Sequence, residues 1–250
     1  MGSAASFRPR HGLARVLSKL GYCSRREAGE LIRGGRVSVN GRAILDPEFP
    51  VAAGRDVVHV DGQAVQAAEG IYLMLNKPRG LVTTAADEQG RDTVFTCFAG
   101  ANLPFLSPVG RLDQASEGLL LFSNDTAWAA RLSAPESHVQ KTYHVQVDRR
   151  FEPPQLRQLE QGRECDGELL RVHHASLLRA GEKNCWLELV LDEGRNRHLR
   201  RLLGAMGIEV LRLVRVAMGP LTLGSLAKGQ WRHLTPAEVR SLREAGGGVP

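Results

Sequence analysis

The chain has 250 residues, of which 42% are hydrophobic and 24% are charged, and these ordinary values exclude a wholly disordered protein. No apolar run approaches the ~20 residues that a membrane-spanning helix needs, so we expect no membrane association. The net charge is +6, but residues 8–42 carry +7 and the rest of the chain carries −1. A basic segment on a near-neutral body is typical of a module that binds a polyanion, although a solvated helix face would give the same pattern.

The placement of cysteine and histidine argues against metal and disulfide chemistry. The four cysteines are scattered, no C-x-x-C or H-E-x-x-H pattern occurs, and the only adjacent histidines are His173 and His174. Neighbouring residues on a strand point to opposite faces, so this pair makes a poor metal site. We therefore expect no metal site, no disulfide framework, and a reducing, cytoplasmic location.

Two short helices and a small sheet are predicted at the start of the chain. Apolar residues fall at helical spacing over residues 13–20, and Gly21 ends that helix. A capping box, Ser24-Arg-Arg-Glu27, opens the second helix. Alternating apolar residues then lead into Asn40-Gly41, a hairpin-turn signal, and residues 56–60 are predicted to form a further strand.

This N-terminal unit, residues 11–65, resembles the S-four RNA-binding domain. The resemblance rests on three segments, Leu13-Ala-Arg-Val-Leu-Ser-Lys-Leu-Gly21, Cys23-Ser-Arg-Arg-Glu-Ala28 and Gly35-Arg-Val-Ser-Val-Asn-Gly41. It implies that the helix pair presents basic side chains to structured RNA and follows phosphate geometry without reading bases. The candidate RNA-binding residues are Arg15, Lys19, Arg25, Arg26, Arg33 and Arg36.

A second unit, residues 71–240, follows a polar linker over residues 63–70. Its predicted strands cover residues 71–75, 118–122, 141–147, 169–172, 186–191 and 209–216. Its predicted helices cover residues 125–132, 154–159 and 196–203, and a last helix opens at the capping box Thr235-Pro-Ala-Glu238. Because strands outnumber helices without regular βαβ alternation, we expect an α+β fold. It would comprise a small basic α/β module and a larger domain on a mixed, largely antiparallel sheet with flanking helices.

One polar cluster lies between two apolar, strand-like segments of this second unit. It contains Arg111, Asp113, Ser116 and Glu117. Carboxylates on a short loop that leaves a sheet can be held rigidly in a cleft. An ordinary polar turn, with Asp113 capping a backbone N–H, fits the spacing equally well.

The segments Gly110-Arg-Leu-Asp113 and Ser116-Glu-Gly-Leu-Leu120 resemble the catalytic motif of RsuA-type ribosomal RNA pseudouridine synthases. Three further segments agree in order and spacing: Leu75-Asn-Lys-Pro-Arg-Gly80, Lys141-Thr-Tyr143 and Glu193-Gly-Arg-Asn-Arg-His-Leu-Arg-Arg201. The resemblance implies that residues 71–240 form a catalytic domain that isomerises a uridine. That reaction exchanges no electrons, phosphate or external atoms, so no cofactor is expected.

The resemblance also assigns roles to individual residues. Asp113 matches the catalytic aspartate, which acts as a nucleophile toward the sugar or the base, or as a base on the ribose. Its cationic partner aligns with Arg200, and Arg197 is the alternative because the alignment can slip within this run of arginines. Tyr143 matches a tyrosine that stacks on the target uracil, and Arg111 matches an arginine that fills the gap left by the flipped base.

His198 departs from the family pattern, in which glutamine is expected at this position. Both residue types can donate a hydrogen bond, so we expect activity to be retained. The group that the His198 side chain contacts is left open.

Two other functions remain open at this stage. One is an inactive catalytic-like domain that binds RNA during ribosome assembly. The other is a glycosidase that uses Asp113 and Glu117 as its pair of carboxylates. The expected partner is ribosomal RNA or a ribosomal subunit precursor, bound by a monomer.

Overall fold

The computed structural model describes residues 10–52 and 54–247, so Arg8, the first residue of the basic segment, lies outside the described ranges. The chain forms two compact units. The N-terminal unit comprises the described residues up to Ile71 together with Asn102–Ser107 and Ser123–Ala127, and the larger unit comprises the remainder. The α+β class predicted from the sequence is confirmed.

The N-terminal unit contains two helices and two small antiparallel sheets. Its helices are α1 (Leu13–Lys19) and α2 (Arg25–Arg33). Its strands are β1 (His11–Gly12), β2 (Val37–Val39), β3 (Arg42–Ala43), β4 (Pro50–Val51), β5 (Val58–Val60) and β6 (Gln63–Ala64). The strand order is β3-β2-β5-β6, and β1 pairs with β4. Apolar side chains from both helices and from β2, β4 and β5 form the core of this unit.

Local signals explain these elements. Ser24 caps α2 by accepting a hydrogen bond from the Glu27 backbone N–H at 3.1 Å, and the Glu27 carboxylate accepts one from the Ser24 N–H at 2.9 Å. This is the predicted capping box. Asn40 and Gly41 both have positive φ, at 50° and 82°, as a two-residue hairpin turn between β2 and β3 requires.

The rest of the chain forms one large sheet, a two-stranded ribbon and four helices among the described residues. The strands are β7 (Tyr72–Lys77), β8 (Ser107–Val109), β9 (Glu117–Ser123), β10 (Lys141–Val147), β11 (Arg163–Cys165), β12 (Glu168–Leu170), β13 (His174–Ala180), β14 (Cys185–Leu191), β15 (Val210–Met218), β16 (Leu221–Thr222) and β17 (Trp231–His233). The helices are α3 (Thr126–Ser133), α4 (Pro153–Gln161), α5 (His198–Ala205) and α6 (Pro236–Ala245), and short 3₁₀ helices cover Val94–Phe98 and Pro135–Ser137.

The large sheet has the strand order β13-β14-β10-β15-β9-β7-β17, with β8 and β16 attached at β9 and β15. The β9–β15 pair is parallel, whereas the β10–β14, β10–β15, β13–β14 and β7–β17 pairs are antiparallel. Burial alternates along β10, so its odd-numbered residues from Lys141 to Val147 share a buried face. Helices α3 and α6 contribute Trp128, Leu132 and Leu242 to a core with Leu119 and Leu121.

Three predicted boundaries need correction. The expected linker begins with a strand, because Gln63 and Ala64 pair with β5. The strand predicted at residues 169–172 ends at Leu170. The following strand, β13, is not predicted from the sequence, because Ala175 is its only buried residue and it lacks an alternating apolar face. The helix predicted from residue 196 begins at His198, because Arg197 is left-handed with φ of 49°.

No helix among the described residues is long and apolar enough to cross a membrane. No group of three or more His, Cys, Asp or Glu side chains in the same part of the chain is arranged to hold a metal ion.

Candidate active site

The polar loop over residues 110–116 joins β8 to β9, and the start of β9 is fixed by an unusually close strand contact. Gly118 pairs with Arg215 in the parallel β9–β15 ladder and has φ of 101°. A Cβ atom at this position would lie 2.2 Å from the Arg215 carbonyl oxygen. Only glycine fits such an approach, so the second glycine of the sequence motif sets where the loop ends.

This loop is anchored by three residues at or just after the end of β7. The Lys77 Nζ donates to the carbonyl of Ser116 at 2.8 Å. The Gly80 N–H donates to the carbonyl of Gln114 at 2.8 Å, and the Thr83 hydroxyl donates to the carbonyl of Leu112 at 2.7 Å. Each contact fixes a backbone carbonyl of the loop, so the loop is held on both sides of Asp113.

Lys77 is fully buried, which is rare for a lysine. Burial lowers its pKa to about 8, although the charges of Cys97, Glu117 and Asp113 act in the opposite direction. Its ammonium group donates to the carbonyls of both Pro78 and Ser116. The lysine of the Asn-Lys-Pro segment therefore supports the loop from inside the protein.

Asp113 faces the guanidinium of Arg200, whose Nε lies 3.9 Å from the Asp113 Oδ2. The Arg200 side chain is 15% exposed and that of Asp113 is 36% exposed. Burial lowers the pKa of Arg200, and the Asp113 charge opposes that effect. Arg200 Nη2 also donates to the Ala115 carbonyl at 3.2 Å, so one guanidinium contacts both the carboxylate and its loop. Of the two candidate arginines, Arg200 is the one at ion-pair distance.

Asp113 lies on the wall of a cavity of about 160 Å³. Tyr143, on β10, is 9% exposed and lines the same cavity, as do Arg111, Arg197 and Arg200. A second depression of about 760 Å³ shares Arg111, Asp113 and Arg197 with the cavity and continues along residues 82–91. Four sequence-predicted residues therefore meet Asp113 at one opening, and Arg111 and Arg197 are exposed there.

Two cavity residues received no role from the sequence. Lys141 and Arg215 are only 8% and 4% exposed, and both line the cavity around Asp113. Arg215 lies directly opposite Tyr143 in the β10–β15 register, so the two share a face of the sheet. The sequence pointed only to Lys141, which begins the family-like segment Lys141-Thr-Tyr143 and, two residues before Tyr143, lies on the same side of a strand.

His198 is 3% exposed and also lines the cavity. Its Nε2 lies 2.9 Å from the carbonyl oxygen of Arg171, and its Nδ1 lies 3.8 Å from the Glu193 carboxylate. Burial lowers the pKa of His198, which favours the neutral ring, and the Nε2–H then donates to Arg171. The departure from glutamine thus keeps a donor that ties the first residue of α5 to a neighbouring segment.

Glu117 does not line the cavity. It is 3% exposed at its side chain, accepts two hydrogen bonds of 3.1 Å from Arg212, and contacts the ammonium of Lys228. Burial raises the pKa of Glu117, but these two cations outweigh it and the net shift is downward. A paired glutamate outside the cavity is not placed to act with Asp113, which argues against the glycosidase alternative.

The remaining arginines of the 195–201 run have structural partners. Arg201 forms ion pairs with Asp166 and Glu168, at 3.1 and 2.9 Å, and Arg195 forms one with Glu193 at 3.1 Å. Arg195, Arg197 and Arg200 of this run line the cavity, and among the described residues Arg197 forms no ion pair.

The basic residues of the N-terminal unit are exposed, as binding to an anion requires. All six predicted positions, Arg15, Lys19, Arg25, Arg26, Arg33 and Arg36, lie at the surface. Arg36 is less available than the others because its guanidinium donates to both oxygens of Asp61, at 2.9 and 2.5 Å.

Comparison with known proteins identifies the family. The profile described as RNA pseudouridylate synthase matches residues 71–205, and the S-four domain profile matches residues 12–57. Ribosomal large subunit pseudouridine synthase B of Bacillus subtilis is 39% identical over 236 residues, covering 92% of this chain and 95% of that protein. An RNA pseudouridine synthase of Aquifex aeolicus is 36% identical over 235 residues, with 93% and 94% covered. This chain belongs to the RNA pseudouridine synthase family.

A solved pseudouridylate synthase agrees with that assignment. It superposes with a TM-score of 0.65 at 28% identity and covers 94% of this chain and 99% of its own. The sequence-based prediction of an RNA pseudouridine synthase with an N-terminal S-four domain is therefore confirmed. The range of this chain that the synthase profile matches, residues 71–205, contains Asp113, Tyr143 and Arg200 but ends before Arg215.

Proposed function

We propose that this enzyme converts a specific uridine of large-subunit ribosomal RNA into pseudouridine. The choice of RNA rests on the similarity to the large-subunit synthase of Bacillus subtilis, which extends over nearly the full length of both chains. The exposed basic residues of the S-four unit support an RNA partner, because lysine and arginine neutralise phosphate charge.

The isomerisation breaks the bond between uracil N1 and ribose C1′ and forms a bond between uracil C5 and C1′. The C5 proton leaves to solvent and N1 takes up a proton, so atoms and electrons balance without a co-reactant. We therefore include no cofactor in the proposal. Every residue it needs belongs to one chain, so the proposed active species is a monomer.

Asp113 is the proposed catalytic residue, and its pairing with Arg200 carries the proposal. The three possible roles, attack on the sugar, attack on the base and proton abstraction from the ribose, all require the ionised carboxylate. A guanidinium 3.9 Å from that carboxylate supplies a counter-charge and also orients it through the second contact to the loop.

The target base is proposed to leave the RNA stack and enter the cavity beside Asp113. The cavity of about 160 Å³ corresponds to about five waters of about 30 Å³ each, which is room for one base. Tyr143 offers a ring on which uracil can stack, and exposed Arg111 can fill the vacated position in the RNA.

The catalytic proposal is tested with large-subunit ribosomal RNA transcribed with uridine tritiated at C5. Wild-type protein should release tritium in an amount that corresponds to one or a few uridines. Asp113→Asn should abolish release while RNA binding persists, and Asp166→Asn, which alters an exposed aspartate outside the cavity, should leave release unchanged. Release by Asp113→Asn at the wild-type rate would refute the role of Asp113. Wild-type protein that is inactive on every ribosomal RNA and subunit precursor would favour the inactive RNA-binding protein.

The S-four proposal is tested by salt dependence. Each of Arg25→Ala, Arg26→Ala and Arg33→Ala should weaken binding of the same RNA and reduce the slope of log K against log salt by up to about 1. Arg240→Ala removes an exposed arginine of α6 and serves as the control. Unchanged slopes in all three variants would contradict RNA binding by this unit.

A further inference from the structure

The cavity is lined by two buried cations that form no ion pair among the described residues. Lys141 and Arg215 are 8% and 4% exposed, and no carboxylate of the described residues lies within ion-pair distance of either one. The Arg215 Nε donates to the Leu119 carbonyl at 2.7 Å, but its buried Nη2 has no partner among the described residues. A buried charge without a close ion-pair partner destabilises a fold, so such a pair needs another explanation.

The sheet register explains why the two cations act at the same place. Lys141 and Tyr143 are two residues apart on β10, and Arg215 is the direct partner of Tyr143 on β15. All three side chains therefore lie on one face of the sheet, and all three line the cavity that contains Asp113. A base stacked on Tyr143 would have a cation on each of two sides.

We propose that Lys141 and Arg215 form an oxyanion site that stabilises the negative charge developing on uracil during isomerisation. This inference rests on the proposed function and assigns the pair a direct contact with the carbonyl oxygens of the base. It extends the site beyond residues 71–205, the range matched by the family profile, because Arg215 lies outside that range.

The inference holds for each role open to Asp113. If the N1–C1′ bond breaks first, its electron pair stays on uracil and spreads to O2 and O4. If Asp113 adds to C6 of the base, the electron pair moves to the C4 carbonyl and O4 carries the charge. Uracil becomes anionic in every case, and buried cations fixed beside the base stabilise such a charge strongly.

The contacts of Lys141 agree with this assignment. Burial, and then the charge of Arg215, lower the pKa of Lys141, while Asp192 acts in the opposite direction. An anion between the two cations would offset their mutual repulsion. The pair therefore stabilises the anionic transition state more than it stabilises the site without substrate.

The test compares Lys141→Met and Arg215→Met with wild type, using large-subunit ribosomal RNA tritiated at uridine C5 under single-turnover conditions. At saturating RNA, each variant should lower the rate by about 10²-fold to 10³-fold. The dissociation constant for RNA should change by less than about twofold, because the charge appears only as bonds break. The melting temperature should stay the same or rise, because methionine removes an unpaired buried charge. Lys183→Met, at an exposed position, is the matched control and should match wild type.

A pH profile separates an electrostatic role from a packing role. Arg215 and Asp192 are the charged groups that act on the pKa of Lys141. The other charged or titratable side chains that line the same cavity are Arg111, Asp113, Tyr143, Arg195, Arg197, His198 and Arg200. Wild-type activity should fall as the pH rises through the lowered pKa of Lys141. In Lys141→Arg this loss should move to higher pH, because arginine stays protonated, while Lys77 is present in both proteins.

Three results would overturn the inference. The first is a rate for Lys141→Met above about a third of the wild-type rate, and the second is an alkaline limb that does not move in Lys141→Arg. The third is a lower melting temperature in both methionine variants, which would make the cations structural. Wild-type protein that releases no tritium would instead refute the proposed function on which the inference depends.

Discussion

Gly118→Ala tests whether the close approach of β9 and β15 holds the catalytic loop. The alanine must adopt a φ of 101°, and such a backbone conformation costs a non-glycine residue about 1–3 kcal/mol. Its Cβ would lie 2.2 Å from the Arg215 carbonyl oxygen, where ordinary contact begins at 3.4 Å, so the strands must separate by about 1 Å. Backbone hydrogen bonds of this pair, at about 1 kcal/mol each, would weaken. The expected loss in unfolding free energy is about 3–5 kcal/mol.

The measurement is urea denaturation, with tryptophan fluorescence as the signal that monitors unfolding. The chain has three tryptophans, and Trp128, Trp186 and Trp231 all belong to the larger unit, so the signal reports on that unit alone. The midpoint for Gly118→Ala should fall while the slope of the transition is retained. The isomerisation rate of the folded variant should also fall, because the loop carrying Asp113 ends at this strand contact.

Gly167→Ala separates the two contributions to this loss. Gly167 has a similar φ of 76° in the turn between β11 and β12, but a Cβ there meets no atom within 4 Å. Gly167→Ala should lower the free energy of unfolding by only about 1–2 kcal/mol, because the alanine must adopt a left-handed conformation. If Gly118→Ala and Gly167→Ala destabilise the larger unit equally, strand proximity contributes nothing and the reasoning about Gly118 is wrong.

Three further predictions concern the supports of the site. Lys77→Met removes a buried amine whose pKa is lowered from 10.5 to about 8, so the unfolded state holds more protons between these pH values. Wild type should therefore gain about 3 kcal/mol of stability relative to this variant from pH 8 to pH 10.5, and a constant difference would contradict the assignment. His198→Gln keeps a donor for the Arg171 carbonyl and should retain stability and rate, whereas His198→Ala should lose about 2–3 kcal/mol by urea denaturation; equal losses would exclude this hydrogen bond as the reason. Arg200→Lys cannot contact Asp113 and the loop together, so single-turnover tritium release should fall by at least roughly tenfold at saturating RNA, and an unchanged rate would refute the orienting role.

Local chemistry made much of the fold predictable. The capping boxes at Ser24 and Thr235 and the Asn40-Gly41 turn each satisfy backbone groups within a few residues, so the sequence contains the whole interaction. Alternation along β10 was equally readable, because one face is buried along the entire strand. These signals placed most elements to within two or three residues.

The missed boundaries depend on interactions that are distant in sequence. β13 carries a bulge after Leu177, and its partner β14 decides the register on either side. Helix α5 begins late because Arg197 adopts a left-handed conformation, for which its sequence gives no reason. The pairing of Asp113 with Arg200 spans 87 residues, and only the family resemblance, not any periodicity, brought the two together.

The net charge of the chain is a poor guide to the electrostatic field in the site, because each ion pair elsewhere in the protein cancels its own two charges. The chain beyond the basic segment carries −1 overall. Yet many of its acidic groups are neutralised away from the cavity, as Glu117 is by Arg212, and Asp166 is by Arg201. Lys141 and Arg215 have no such partner among the described residues. The near-neutral body therefore places two buried cations that form no ion pair in the cavity beside Asp113, where a base that becomes anionic would contact them.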